Sequence, residues 1–166
     1  MRETVPPPIA AGEADLRIGD SDVADAPAIL ALQRLCYRRE AERYDDWSLA
    51  PLTETLSDLI AAYDRQQILA AWAGSRLVGS VRAQPAGGVV AIGRLVVHPA
   101  CERHGLGTAL MAAIERRFPP PVCFELFTGH RSEGNLRLYH RLGYVEHRRE
   151  TASADLDLVF LRKRIA

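Results

Sequence analysis

Apolar and polar residues follow two different periods along this chain, which predicts a mixture of strands and helices. Three runs rich in Val, Leu and Ala come close together after residue 66, separated by Gly-Ser and Pro-Ala-Gly-Gly segments. Short apolar runs bounded by such turns are typical of an antiparallel meander. The predicted strands are "QILAAWA" at 67–73, "RLVGSVRAQ" at 76–84 and "GVVAIGRLVV" at 88–97.

A short strand, "ADLRI" at 14–18, and two helices are predicted before the meander. The first helix covers "DSDVADAPAILALQRLCY" at 20–37, with Asp20 or Ser21 available as its cap. The second covers "APLTETLSDLIAAYD" at 50–64 as one continuous helix, with Pro51 near its first turn. Its apolar face is predicted to contain Leu52, Leu56, Leu59, Ile60 and Tyr63.

After the meander, helices and strands alternate. A helix is predicted at 106–118, a strand at 122–127 and a helix at 135–142, followed by two strands at 144–152 and 155–163. This order predicts a mixed α+β domain with one β-α-β-α segment inside it, spanning 14–166. Residues 1–13, "MRETVPPPIAAGE", contain three consecutive prolines and no apolar period, which predicts an extended or disordered arm.

Composition and charge narrow the class of protein. A chain of 166 residues that is 48% hydrophobic and 25% charged suits one globular domain. Its 21 Lys and Arg balance 21 Asp and Glu, so we expect neither nucleic acid nor a membrane as partner, and any polyanion site must be local. Three cysteines without metal-like spacing predict no metal site and a reducing, cytoplasmic location. No stretch approaches the ~20 apolar residues of a membrane span, and no apolar signal core follows Arg2.

One stretch carries an apolar strand into a helix through a turn with two glycines: "VVHPACERHGLGTALMAAIERRF" at 96–118. The first amides of a helix lack main-chain partners and the helix dipole favours an anion, so this order predicts a phosphate site. Two glycines at such a junction also suit a tight turn and close packing, so both interpretations stay open. The pattern is neither a P-loop nor a dinucleotide fingerprint, because the required lysine and third glycine are missing.

A second motif follows in "SEGNLRLYHRLGYVE" at 132–146, where Leu138 and Leu142 mark the buried face of a short helix that Gly143 ends. Together, "GRLVVHPACERHGLGTAL" and "NLRLYHRLGY" resemble the GNAT superfamily of N-acetyltransferases. The resemblance covers 67–145 by its motifs and 14–166 by the order of elements. It implies an acyl-CoA N-acyltransferase fold, a twisted, mostly antiparallel sheet of about six or seven strands flanked by about four helices.

The resemblance implies how acetyl-CoA binds. The pyrophosphate lies on the amides of the glycine turn, and the pantetheine arm lies along the preceding strand like an added strand. The turn residues are Arg103, His104, Gly105, Leu106, Gly107 and Thr108, and the strand residues are Leu95, Val96 and Val97. A backbone amide near Val97 stabilises the oxyanion while an amine attacks the thioester directly. The amine must therefore be presented neutral and its proton accepted.

Two positions depart from the family pattern. Glu102 stands where Arg or Gln is usual, so we expect its carboxylate to point to solvent and Arg103 to supply the compensating charge. Ser132 stands where many relatives carry an Asn that contacts the cofactor. Ser132 can make one such bond or cap the helix, and Asn135, one turn later, can take over the contact.

The resemblance also names catalytic candidates. Tyr139 matches the family tyrosine that protonates the departing thiolate, although without the resemblance a core tyrosine is the simpler interpretation. Phe127 occupies the position of a family catalytic Glu, and Glu125, on the same strand face, is the nearest candidate base. A salt-bridged Glu125, with water as the proton carrier, explains the same residue. The segment "CYRREAERYDDW" at 36–47 mixes aromatic and acidic residues where relatives build the acceptor wall.

The sequence therefore predicts an enzyme that moves an acetyl group from acetyl-CoA to a primary amine in a ternary complex. The alternatives are an acyltransferase that uses a different acyl-CoA, a non-catalytic acyl-CoA-binding module and a generic phosphate-anchored nucleotide binder. The acceptor is expected to be a small-molecule or peptide amine. The last predicted strand, 155–163, could present an edge for a homodimer.

Overall fold

A computed structural model describes residues 16–166, which form a mixed sheet of seven strands flanked by five helices. The strands are β1 Leu16–Asp20, β2 Gln67–Ala73, β3 Arg76–Ala86, β4 Val89–Val97, β5 Val122–Gly129, β6 Val145–Ser153 and β7 Leu156–Ile165. The helices are α1 Ala26–Tyr44, α2 Ala50–Thr53, α3 Leu56–Ala62, α4 Leu106–Glu115 and α5 Glu133–Arg141. The arm predicted at 1–13 and the first two residues of the strand predicted at 14–18 lie outside the described residues.

The strands lie in the order β1-β2-β3-β4-β5-β7-β6. β1 to β4 form an antiparallel meander, which confirms the predicted meander, and β2 spans the predicted residues. β5 lies parallel to β4 after the crossover through α4, while β7 pairs antiparallel with both β5 and β6. β7 is therefore an interior strand, so the expectation that 155–163 presents a free edge is wrong, and β6 forms that edge.

β4 and β5 pair only at their beginnings within the described part of the chain. Val90 lies opposite Phe124 and Ala91 opposite Glu125, after which no further pairs join the two strands. On its other side β4 pairs with β3 up to Val97, with a register shift where Arg94 adopts a φ of 53°. An extra residue in one strand bends it and increases its twist. The bent end of β4 therefore leaves a wedge-shaped gap beside β5.

The sheet carries apolar side chains on both faces. Strand alternation sends neighbouring residues to opposite faces, and the neighbours Ile68 and Leu69 of β2 belong to two separate buried clusters. One cluster joins the sheet to α4, whose Leu110 and Ile114 are fully buried. The other joins the sheet to α1 and α3. These two layers fix one helix group on each side of the β4–β5 gap.

The prediction of one continuous helix at 50–64 is wrong. The structure has two helices there, α2 and α3, so the total is five and not about four. α2 ends at Thr53, and Thr55 then begins α3 with a reciprocal capping box to Asp58. The break also changes which residues are buried. Leu59 and Ala62 are buried on α3, whereas Leu56 and Ile60 are largely exposed.

The beginning of α1 also differs from the prediction. Asp20 is the last residue of β1, and the Ser21 hydroxyl donates to the Ile68 carbonyl, so neither caps a helix. Asp22 instead caps a short 3-10 turn at Val23–Asp25, where its carboxylate accepts a hydrogen bond from the Ala24 amide. The helix that follows is longer than predicted and runs to Tyr44.

A buried polar cluster ties the break between α2 and α3 to the sheet. Arg82 of β3 donates to Glu54 at 2.6 Å and to the side-chain oxygen of Gln33 at 3.0 Å. Gln33, on α1, donates in turn to the Pro51 carbonyl. Arg94 adds a second cation 3.6 Å from Glu54. One carboxylate thus contacts two arginines at the residue where α2 has ended and α3 has not yet begun.

Glu54→Ala should destabilise the fold strongly, because Arg82 would keep a buried charge without its ion partner. Breaking a buried pair by removing one partner costs about 3 to 5 kcal/mol. The matched control is Glu150→Ala, which removes an exposed partner of Arg148 on β6 and should change stability by less than about 1 kcal/mol. Chemical denaturation of both variants measures the difference, and equal stabilities would contradict the role assigned to Glu54.

Candidate functional site

A cleft of about 740 Å³ opens where β4 and β5 diverge. Its walls come from α1, the end of β4, the turn before α4, and α5. The residues that line it include Cys36, Tyr37, Arg39, Glu40, Arg43, Leu95, Val96, Val97, Arg103, Gly105, Leu106, Gly107, Thr108, Arg131, Glu133, Asn135, Arg137, Leu138 and Arg141. The cleft therefore brings together most of the residues that the sequence predicts for a phosphate-containing ligand.

The glycine turn forms one end of the cleft. Gly105 is the N-cap of α4 with a φ of 78°, a left-handed conformation that side chains rarely adopt. The first hydrogen bond of the helix runs from the Ala109 amide to the Gly105 carbonyl, so the amides of Leu106, Gly107 and Thr108 come before the helical ladder. A side chain at Gly107 would make ordinary contacts with the protein, so the protein packing does not require a glycine there.

Charge at this end of the cleft differs from the expectation. Glu102 is half-exposed and accepts a hydrogen bond from Arg39 of α1 at 2.7 Å. Arg39 is therefore the ion partner of Glu102, which the sequence did not predict. Arg103, expected to supply the compensating charge, also lines the cleft. Six arginines and three glutamates line the cleft, an excess of three positive charges in a chain whose formal net charge is zero. This excess matches the expectation that any polyanion site in this neutral chain must be local.

The end of β4 forms the floor of the cleft, and Leu95, Val96 and Val97 all line it. On the opposite wall, the Cys36 thiol of α1 donates to the Val97 carbonyl at 3.3 Å. Burial raises the pKa of this thiol to about 11. Cys36 therefore remains a protonated donor that holds α1 against β4, and it lacks the thiolate character of a nucleophile.

α5 forms the remaining wall. Asn135 lines the cleft and donates to the Thr128 hydroxyl at 3.2 Å. Ser132 is buried and does not line the cleft, and its hydroxyl donates to Glu40 at 2.6 Å. His104 is exposed and also lies outside the lining. The structure thus brings Asn135 into the cleft and turns Ser132 toward α1.

Tyr139 lies on α5 at the edge of the core, 7% exposed. Its ring packs edge-on against Tyr144, with centroids 6.0 Å apart. Burial raises the pKa of the Tyr139 phenol, and the charges of Tyr37 and Glu40 raise it further. Tyr139 itself does not line the cleft, whereas Tyr37 and Glu40, whose charges act on it, both do. With its raised pKa, the buried phenol stays protonated at neutral pH.

Glu125 lies on β5 at the last pair with β4 and does not line the cleft. Its carboxylate accepts a hydrogen bond from Arg162 at 2.6 Å, and Arg148 lies 4.0 Å away. Arg162 comes from the adjacent strand β7, and Arg148 comes from β6 on the far side of β7. The arrangement corresponds to the salt-bridged interpretation of this residue.

α1 contributes a row of lining residues that no motif identified individually. Each of these residues has another three or four positions away, so they share one face of the helix; they are Cys36, Tyr37, Arg39, Glu40 and Arg43. Their spacing was readable in the sequence, but the sequence does not say that this face is turned toward β4. The rest of segment 36–47 lies elsewhere, with Tyr44 buried and Trp47 exposed.

Hydrogen bonds connect the end of α1 to the loop before α5. The Arg131 amide donates to the Tyr44 hydroxyl at 2.9 Å, and this hydroxyl lies 2.9 Å from the Ser132 hydroxyl, which donates to Glu40. A Cβ atom at Gly129 would lie 2.1 Å from the Tyr44 oxygen. Only glycine at 129 leaves room for Tyr44, so this chain of bonds depends on the absence of a side chain.

Comparison with known proteins defines the class. A model described as "Acetyltransferase (GNAT) family" matches residues 26–144, which include the glycine turn and Tyr139. This protein therefore belongs to the GNAT acetyltransferase family, as its motifs indicate. No curated protein matches the chain at a significant level.

Solved structures share the fold at low sequence identity. PaiA N-acetyltransferase from Thermoplasma acidophilum, in complex with coenzyme A, gives a TM-score of 0.73 at 14% identity over 91% of this chain and 99% of that chain. YncA from Salmonella typhimurium, with its cofactor acetyl-CoA, gives 0.72 at 19% identity over 90% and 93%. The ribosomal-protein-S18-alanine N-acetyltransferase from Escherichia coli gives 0.70 at 17% identity over 92% and 95%. At these identities the likeness establishes the fold.

Within residues 16–166, no group of three or more His, Cys, Asp or Glu side chains is arranged to hold a metal ion. Across that range, the helices are also too short or too polar to span a membrane.

Gly129→Ala should displace Tyr44 and break the hydrogen bonds that lead to Glu40. Overpacking of this kind costs about 1 to 3 kcal/mol of stability. Gly19→Ala is the matched control, because a Cβ at this strand position meets no atom within 4 Å. Thermal and chemical unfolding of both variants measures the effect. If Gly129→Ala is as stable as the unmodified protein, Tyr44 does not need the space that Gly129 leaves.

Proposed function

We propose that this protein is an N-acetyltransferase that moves an acetyl group from acetyl-CoA to a primary amine by direct attack in a ternary complex. The observation that carries the proposal is the cleft between β4 and β5, which runs from the first amides of α4 to the vicinity of Tyr139. One cleft thus offers an anion site and a strand edge, with the buried phenol of Tyr139 behind residues of its wall. Membership of an acetyltransferase family supports the same reaction.

Each part of acetyl-CoA has a matching part of the cleft. The amides of Leu106, Gly107 and Thr108, with the positive end of the α4 dipole, bind the pyrophosphate. The arginine excess attracts its negative charge. The pantetheine arm lies along Leu95 to Val97 as an added strand, since β5 does not pair with this part of β4. The coenzyme A bound by PaiA and the acetyl-CoA bound by YncA support this choice of cosubstrate.

The chemical step needs positioning of the reactants, loss of a proton from the amine and gain of a proton by the leaving thiolate. A backbone amide near Val97 stabilises the oxyanion that forms when the amine attacks the thioester carbonyl. The C–S bond then breaks, and Tyr139 donates its proton to the leaving thiolate. Retention of a buried, protonated tyrosine favours an enzyme over a binding module, because binding alone does not need a proton donor. An acyl-CoA other than acetyl-CoA remains the alternative donor.

The acceptor is a small-molecule or peptide amine. The Escherichia coli neighbour is named for a ribosomal-protein alanine, which supports a peptide amine as one choice. In this chain, the acceptor side of the cleft combines Tyr37 and Glu40 of α1, an aromatic ring and a carboxylate that suit a cationic group. A panel of a polyamine, an aminoglycoside, free amino acids, peptides with free N-termini and a lysine peptide covers these chemistries.

Thiol release from acetyl-CoA in the presence of each amine tests the proposed reaction. Gly107→Glu should abolish it, because the new carboxylate lies where the pyrophosphate binds and repels it. Affinity for acetyl-CoA by calorimetry should fall more than roughly a hundredfold, from a like-charge repulsion of about 3 kcal/mol or more at this range. Gly107→Ala is the control and should fold and bind, since its methyl group makes ordinary contacts with Leu138 and Val97. Unchanged affinity in Gly107→Glu would contradict the assignment of this turn.

Tyr139→Phe separates an enzyme from a binding module. The variant removes one hydroxyl, so acetyl-CoA affinity should stay the same while turnover falls by roughly ten- to a thousandfold, the range of a positioned acid. The loss should shrink with an acyl donor whose thiol is more acidic, because a better leaving group needs less protonation. Equal turnover of both proteins with every donor would remove Tyr139 from the mechanism.

A further inference from the structure

The proposed acetyl transfer leaves one role unassigned, the group that binds the acceptor ammonium and takes its proton. An alkyl ammonium with a pKa near about 10 must lose a proton before its nitrogen can attack. Three carboxylates line the cleft, those of Glu40, Glu102 and Glu133. Glu102 is paired with Arg39 at the glycine turn, and Glu133 is largely exposed at the beginning of α5. Glu40 is the most enclosed of the three, with 20% of its side chain exposed.

We propose that Glu40 of α1 binds the ammonium group of the acceptor and accepts its proton. This inference rests on the proposed acetyl transfer and assigns the role to the helical wall of the cleft, in place of Glu125 on β5. Glu125 is held by arginines of the neighbouring strands and does not line the cleft. Glu40 is the carboxylate that both lines the cleft and lies near the proton donor Tyr139.

A built network holds the Glu40 carboxylate in place. The Arg131 amide donates to Tyr44, which leaves the Tyr44 hydroxyl to donate to Ser132, and the Ser132 hydroxyl donates to Glu40 at 2.6 Å. Every donor in this chain points toward the carboxylate, so the chain fixes the position of its oxygen. Glycine at 129 makes room for the Tyr44 oxygen. Such preorganisation is expected of a group that must face a reacting nitrogen.

The second oxygen of Glu40 has a partner that a cationic ligand can replace. It accepts a hydrogen bond from Arg43, one turn later on the same helix. The Arg43 side chain is 39% exposed, so its guanidinium can move to solvent when an ammonium group takes its place. The substitution exchanges one cation for another and leaves the charge of the cleft unchanged.

The protons balance across the two walls. The bound ammonium gives one proton to Glu40, which passes it to solvent, and the neutral amine attacks the thioester carbon. The C–N bond forms and the C–S bond breaks, while the thiolate takes a proton from Tyr139. The new amide nitrogen loses its remaining extra proton to Glu40, which again passes it to solvent, and Tyr139 takes one proton back from solvent. The products are the amide, coenzyme A as its thiol and one released proton.

The test compares Glu40→Gln with the unmodified protein, using the amine of the panel that gives the fastest thiol release. Gln keeps the size of the side chain and cannot accept the proton, so kcat/KM for the amine should fall by roughly a hundred- to ten-thousandfold. Acetyl-CoA affinity by calorimetry should stay within about twofold, which also shows that the variant is folded. Glu42→Gln is the matched control on the same helix, exposed and outside the cleft lining, and should retain activity.

The acidity of the acceptor separates proton transfer from packing. A fluorinated analogue of the same amine has a more acidic ammonium, so the loss caused by Glu40→Gln should shrink with it. Ser132→Ala should lower kcat/KM for the amine while acetyl-CoA affinity stays unchanged, because Ser132 acts through Glu40. The conservative variant Ser132→Thr, which keeps a hydroxyl, should recover part of the loss.

Three results would overturn the inference. If Glu40→Gln weakens acetyl-CoA binding and leaves amine kinetics unchanged at saturating cofactor, Glu40 positions Arg43 for the cofactor. If Glu125→Gln carries the loss and Glu40→Gln does not, the base lies on β5. If the loss is the same for both acceptors, Glu40 has no part in proton transfer. Failure of the proposed function is distinguishable, since the unmodified protein would then bind acetyl-CoA and release no thiol with any amine.

Discussion

The separation of β4 from β5 is the constraint on which the rest of the site depends. β4 remains paired with β3 up to Val97, but it pairs with β5 only through Val90 and Ala91. The bend is associated with Arg94, whose left-handed backbone costs about 1 to 2 kcal/mol in a residue with a side chain. That strain is maintained by a neighbourhood that includes Glu54. The result is a strand edge that a ligand can complete, beside a helix whose first amides are free of the helical ladder.

The distribution of charge follows from the same geometry. A neutral chain has no overall field to attract an anionic ligand, so attraction must come from side chains gathered at one place. The cleft gathers them from α1, the glycine turn and α5, elements that are distant in sequence and meet only because β4 and β5 diverge. Glu102 illustrates the effect of this assembly. From the sequence alone, the negative charge of Glu102 is expected to repel an anion. In the structure, the ion pair with Arg39 neutralises that charge.

The sequence predicted those features that are local to one stretch of chain. β2 was predicted to the residue, and α4 begins at Leu106 as predicted, because turn glycines mark both places. The break at Glu54 was missed because the helical spacing of apolar residues continues through it. Thr55 and Asp58 nevertheless form a capping box, which marks the beginning of a new helix. The partner of Glu54 at this break is Arg82, a residue of β3 that is distant in sequence. The partners of Glu125 were equally hidden, because they depend on how β7 pairs with β5 and how β6 pairs with β7.

The two sides of the cleft are held by different forces, and this explains which half the sequence could identify. The proposed cofactor side consists of main-chain groups of β4 and α4, whose positions follow from strand pairing and helix geometry and leave recognisable glycines. The proposed acceptor side is one face of α1, which is positioned by side-chain contacts such as Cys36 with Val97 and Tyr44 with the loop after Gly129. Those contacts join residues that are 61 and 87 positions apart. A sequence motif can indicate main-chain geometry, because its glycines lie close together in the chain. Side-chain contacts between distant residues are found only once the structure shows how α1 packs on the sheet. The acceptor wall can therefore change by substitutions along α1 while the main-chain cofactor site remains intact.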